Sequence, residues 1–175
     1  MRERFEDMLV GGHPNSLGRT LEVVAAVLAR PARFAELFTC YAAADPVVRL
    51  RTSNALKRVQ AERHDLLVPY IDRLINEIGK LDQASAQWTL AQLFDRLAPD
   101  MDTAQRASAF VIMQRNLSTY DDWIVLNATL ETLSRWASED PSLRRWLRSH
   151  LERLSADRRK SVAARARKHL RRLYP

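Results

Sequence analysis

The stretch Asp45-Pro-Val-Val-Arg-Leu-Arg-Thr-Ser-Asn-Ala-Leu-Lys-Arg-Val59 decides the fold. Asp45 is a favoured N-cap, and Pro46 suits the first helical position, where its missing N–H costs nothing. Val48, Thr52, Ala55, Leu56 and Val59 then share one helical face. The pattern returns about every 38 residues: Val48, Leu56 and Val59 are matched by Ala86, Phe94 and Leu97, then by Val125, Leu133 and Trp136, then by Val162, Leu170 and Leu173. Asp45, Asp82 and Asp122 open the first three blocks, and Asp157 stands less closely before the fourth. A second helical segment lies between successive blocks. Each unit is therefore a helix–turn–helix that cannot bury its own apolar face, so the units must stack.

These residues resemble the HEAT family of repeats, in the wider armadillo-like group. Asp45-Pro-Val-Val-Arg49, Ala55-Leu56 and Val59 carry the resemblance, with a weaker echo in Ser161-Val-Ala-Ala-Arg165, Leu170 and Leu173. The resemblance implies an all-α, right-handed solenoid of about four helix pairs plus a terminal helix. It also implies a ladder between repeats built from Asp45 with Arg49 or Arg51. Gln87 replaces the arginine in the second block, and Val125-Leu126-Asn127 occupies that region in the third, so the ladder is expected to be incomplete. Such motifs specify a fold and not a function.

Composition agrees with helices joined by short turns. Apolar residues make up 46% of the 175, glycine is rare at 4, and most of the 7 prolines (Pro14, Pro31, Pro46, Pro99 and Pro141 among them) sit at block edges. No run alternates with period two, so no strand is expected. The organisation expected is a capping segment over residues 1–15 and one repeat domain over 16–175. The double glycine Gly11-Gly12 lacks the following Lys-Ser/Thr of a phosphate loop.

Inward faces follow from the same periodicity. Asn15-Ser16 is expected to cap a helix burying Leu17, Leu21, Val24 and Leu28. Pro31 begins the next, with Phe34, Leu37, Phe38 and Tyr41 inward. A continuous helix from about Asp65 to Lys80 buries Leu67, Tyr70, Ile71, Leu74, Ile75 and Ile78. Asp82 caps a helix burying Ala86, Leu90, Leu93, Phe94 and Leu97. A helix after Asp102 buries Ala107, Phe110, Val111, Gln114 and Leu117. Asp122 and Asp140 open the helices that follow, the second burying Leu143, Trp146, Leu147, His150, Leu151 and Leu154, and a last unpaired helix runs from about Arg158 to Leu173.

Charge is unevenly distributed. Residues 1–80 carry 12 cations and 10 anions, residues 81–140 carry 4 and 9, and residues 141–175 carry 12 and 2. The last set is Arg144, Arg145, Arg148, Arg153, Arg158, Arg159, Lys160, Arg165, Arg167, Lys168, Arg171 and Arg172. A terminal helix needs a polar outer face for solubility, but this excess also attracts polyanions. A solvated cap, a nucleic-acid site and a dock for an acidic protein surface all remain open. Large aromatics are missing from the stripe Val162, Ala166, Leu170 and Leu173, which disfavours a membrane-surface helix.

No catalytic signature emerges. His13, His64, His150 and His169 are not at metal-ligand spacing, so neither metal nor cofactor is expected. His150 reads as a satisfied core or seam histidine. His64 beside Asp65 belongs to a helix start. Cys40, the only cysteine, lies inside a helix and reads as a small buried hydrophobe. Some HEAT-like DNA glycosylases remove alkylated bases in a cleft of tryptophans, an aspartate and basic residues. Here Trp88, Trp123, Trp136 and Trp146 offer rings, and Asp121, Asp122 or Asp140 a carboxylate, but nothing matches that family residue by residue. With no apolar signal run at the N-terminus and no membrane span, the expectation is a cytoplasmic, non-enzymatic binding module with a protein partner. A nucleic-acid-binding protein using the basic C-terminal helices is the alternative, and the glycosylase reading ranks last. The oligomeric state stays open.

Overall fold

A computed structural model describes residues 3–13 and 15–175. Met1, Arg2 and Pro14, which belong to the expected capping segment, lie outside the described residues. Among those described, every regular element is helical and no strand occurs. The helices are α1 (Phe5–Leu9), α2 (Thr20–Ala29), α3 (Phe34–Thr39), α4 (Pro46–Glu62), α5 (Ile71–Asn76), α6 (Ala84–Leu97), α7 (Thr103–Thr119), α8 (Trp123–Glu139), α9 (Pro141–Ser155) and α10 (Lys160–Leu173). No helix of the described residues is long and apolar enough to cross a membrane. The chain divides into two compact units, Met1–Thr89 and Leu90–Pro175, and the boundary falls within α6.

In the first unit α4 is the central element. Asp45 caps it by accepting from the Val47 amide at 2.8 Å, Pro46 takes the first position, and Val48, Thr52, Ala55, Leu56 and Val59 are buried. Helices α1, α2 and α3 pack around it. Phe5 and Leu9 are fully buried, so the N-terminal segment belongs to the core of this unit.

Helix α2 corrects the expected register. It starts at Thr20 rather than near Ser16, and it buries Thr20, Val23, Val24 and Val27, while Leu17 and Leu21 are exposed. The cause is Arg51, which is 1% exposed and fills the loop before α2. Its guanidinium donates to the carbonyls of Leu9 at 2.7 Å, Gly11 at 2.6 Å, His13 at 3.2 Å and Ser16 at 3.2 Å. Gly18 holds φ +50°, and a Cβ there would lie 2.8 Å from Arg51 Cζ, so only glycine lets the loop close over the guanidinium.

The expected continuous helix over 65–80 is broken instead. The 3-10 turns His64–Leu66, Val68–Tyr70 and Ile78–Lys80 flank a short α5. Pro69 explains the interruption, because it has no amide hydrogen and clashes with the preceding turn. The buried set still holds, with Leu67, Ile71, Leu74, Ile75 and Ile78 inside, while Tyr70 is half-buried and packs edge-on against Phe34.

In the second unit α8 is central and packs against α7, α9 and α10. Leu90, Leu93, Phe94 and Leu97 of α6 are buried as expected. Asp102 and Gln105 form a capping box at the start of α7. Asp122 caps α8 through the amides of Ile124 and Val125, and Asp140 caps α9 through those of Ser142 and Leu143. Helix α7 departs from expectation. It buries Ala109, Ile112, Met113, Asn116 and Leu117, so of the expected inward face only Leu117 is inside. Ala107 and Val111 are exposed, and Phe110 and Gln114 are half-buried. Helix α10 is not unpaired: it packs on both α8 and α9 through Val162, Ala163, Ala166, His169 and Leu173.

Candidate functional site

The displaced apolar face of α7 is matched by one on α9. Leu147, Leu151 and Leu154 carry α9 into the core, which leaves Leu143, Trp146 and His150 half-buried along its flank. Between the two flanks lies a cavity of about 390 Å³, with Trp136 of α8 among its walls. Phe110 meets Trp146 edge-to-face at 5.0 Å, and Trp146 lies against the His150 ring at 4.3 Å. The Arg106 guanidinium sits 4.8 Å over the Trp136 ring, a cation–π contact that holds the charge at the cavity wall. Trp136 is 7% exposed and its Nε1–H has no hydrogen-bond partner among the described residues. The same is true of His150 Nδ1, so His150 is not the satisfied histidine that its position implies; burial lowers its pKa, with Arg153 adding to the effect.

The carboxylate at this cavity is Asp140, and its Oδ1 is already the acceptor for two backbone amides at 2.8 and 3.0 Å. The cavity thus brings together Trp136, Trp146 and Asp140. Trp123 lies elsewhere and is 51% exposed, Trp88 is half-buried on α6, Asp121 pairs with Arg159, and Asp122 is a helix cap. Sequence periodicity finds Phe110 and Trp146 but assigns them to the core; Arg106 carries no signal before the fold is known.

A second, polar cavity of about 350 Å³ lies along Trp123, Asn127, Glu131 and Arg165. Arg165 of α10 pairs with Glu131 at 2.8 Å, and Arg135 bridges Glu131 and Asp95. His169 lies behind Glu131 and is fully buried, with Nε2 3.3 Å from the carboxylate but without hydrogen-bond alignment. Burial pushes the His169 pKa down to about 4, and the nearby carboxylate only partly offsets this. Burial also works against ionisation of Glu131, yet His169, Arg135 and Arg165 together hold its pKa below the usual value.

The C-terminal cations separate into two groups. The first is tied into the fold. Arg144 donates to the carbonyls of Ala137 and Ser138, closing the end of α8, and Arg153 donates to Leu117 O at the end of α7. Arg159 pairs with Asp157 at 2.7 Å and with Asp121, and this guanidinium holds the Asp157 pKa at about 2. Arg148 pairs with Glu152, and Arg145 reaches Ser142 Oγ at 3.3 Å. The second group is exposed: Lys160, Arg167, Lys168, Arg171 and Arg172 make no hydrogen bond or ion pair within the described residues, and Arg158 makes only a 3.7 Å contact to Asp121.

The expected ladder residues point in three directions. Asp45 stays with its own helix as a cap. Arg49 crosses to Gln83 Oε1 and also donates to Ala43 O, while Gln83 Nε2 returns to Pro46 O at 3.0 Å, so two successive blocks are bridged. Arg51 turns to the N-terminal loop. Cys40 is buried, its thiol contacts Glu36 O, and burial pushes its pKa up to about 12, which makes it a poor nucleophile. His64 Nδ1 lies 2.9 Å from Gln60 Nε2 at a helix start. No cluster of metal-ligating side chains occurs among the described residues. No protein-family model, no curated protein and no solved structure matches the chain.

Proposed function

We propose that the chain is a non-enzymatic binding module, a small protein–protein interaction scaffold of HEAT-like helical repeats arranged as a right-handed solenoid. It holds a partner protein by an apolar anchor side chain in the groove between α7 and α9. The recurrence of the apolar pattern and the Arg49–Gln83 bridge between successive blocks support the repeat reading.

One observation carries the functional reading: an aromatic cavity stands open where the helical pattern would otherwise be packed. Its volume lies at the small end of ligand pockets, which run from roughly 300 to 1,000 Å³. Tryptophan and arginine, the types that dominate binding hot spots, meet here as Trp136, Trp146 and Arg106. Val111, 61% exposed on the same side of α7, extends the apolar surface beyond the cavity. Asp140 supports a binding role over a catalytic one, since one of its oxygens is committed to capping α9.

Selection of a random peptide library on the immobilised protein tests this. Enriched peptides carry an aromatic or large aliphatic residue in a shared position. Ala107→Glu, at an exposed wall position that leaves the core untouched, weakens them by roughly 30-fold, about 2 kcal/mol. Peptides that bind the variant equally well, or no enrichment at all, contradict the reading.

A further inference from the structure

We propose that the exposed face of α10 is a sequence-independent site for the phosphodiester backbone of nucleic acid. At 100° per residue, Lys160, Arg167 and Arg171 fall on one stripe with Ala164, and Lys168 and Arg172 flank it. These five side chains are exposed and uncommitted, and the row spans about 18 Å of helix at 1.5 Å per residue.

Helix stability does not explain the row. The positive end of a helix dipole favours an anion in the first turn, yet α10 has no acid there, begins with Lys160, and takes Arg159 as an N-cap without a side-chain cap bond. Arg167 and Arg171, and Lys168 and Arg172, are like charges at i,i+4, a spacing that destabilises a helix. Other exposed helices here pair an arginine with a glutamate at that spacing, as in Arg73–Glu77 and Arg148–Glu152, while α10 contains no acid at all. Only Arg171 and Arg172, in the last turn, agree with the dipole.

The same face selects among polyanions. Val162, Ala163, Ala166, His169 and Leu173 are consumed by packing, so no apolar stripe remains to enter a bilayer. The outer face offers no aromatic or aliphatic anchor of the kind that forms the core of a protein interface. What it offers is three guanidinium forks and two ammonium groups, which suit closely spaced phosphates.

The test is fluorescence anisotropy of the full chain with labelled duplex DNA, single-stranded DNA and RNA of mixed sequence, from low to moderate salt. With about five phosphates neutralised, affinity for duplex falls roughly 10²- to 10³-fold between 50 and 200 mM salt. The variant Lys160→Glu, Arg167→Glu, Lys168→Glu loses binding and flattens the salt slope. Lys160→Glu alone places an anion where the dipole favours one, so it weakens binding without unfolding the helix; circular dichroism verifies that. Absence of binding at low salt, binding indifferent to these substitutions, or equal affinity for polyglutamate or anionic phospholipid vesicles overturns the proposal.

Discussion

Arg51 shows how one side chain can organise a region that pattern reading leaves undefined. Its donors serve four carbonyls of a loop that has no regular structure of its own. Arg51→Met removes them and leaves those acceptors to find water inside a closed loop. The expected loss is about 3 kcal/mol of unfolding free energy, read as a lower urea midpoint at unchanged slope. His169 acts through protonation. Its pKa in the fold, about 4, lies below the value of about 6.5 that it regains on unfolding. Between those values the unfolded chain binds more protons, so stability falls as pH drops from about 6.5 to 4 and this contribution levels off below. His150, also lowered by burial, acts in the same direction. Glu131 faces His169 from α8, and Arg165, Lys168 and Arg172 accompany it on α10. Equilibrium unfolding at pH 7 and pH 5 therefore shows a drop, and His169→Leu makes that drop smaller.

Helix α8 behaves as its sequence implies: Asp122 opens it, and Val125, Leu133 and Trp136 are buried in the order the repeat gives. Asp122→Ala leaves the Ile124 and Val125 amides without their acceptor and costs about 1 kcal/mol, measurable by thermal unfolding, with no effect on the groove. Helix α4 was legible in the same way, with its Asp45 cap and single apolar stripe, and so was the buried stripe of α6. In α9 the Asp140 cap and Leu147, Leu151 and Leu154 were legible, but Leu143, Trp146 and His150 stay half-buried. Helix α7 was not, because it has two stripes. Ala109, Ile112, Met113 and Asn116 compete with Ala107, Phe110, Val111 and Gln114, and periodicity has no rule for choosing between them. Packing against α8 decides, and the stripe left outside becomes the groove. Sequence therefore named Phe110 and Trp146 but not their openness. The interruption over 64–80 needed only Pro69 to be weighed against the apolar run. Arg51 was read as a ladder residue, and its actual role could not be seen, since its partners are backbone carbonyls, which have no residue type.

At the scale of the molecule, the two compact units differ in what they leave exposed. The first closes over its polar loop and buries its one thiol, whereas the second carries the aromatic groove and the uncompensated cations. Charge was legible from the sequence as a block of 12 cations against 2 anions, but the fold divides that block into arginines that close helix ends or pair with acids and a row that does neither. The four tryptophans report directly on the groove. Trp136 and Trp146 line it, and Trp88 and Trp123 do not. A ¹⁵N–¹H spectrum of the four indole groups, titrated with a library-selected peptide, should move the Trp136 and Trp146 resonances and leave those of Trp88 and Trp123 in place. Shifts confined to Trp88 or Trp123, with Trp136 and Trp146 unmoved at saturation, would contradict a partner site between α7 and α9.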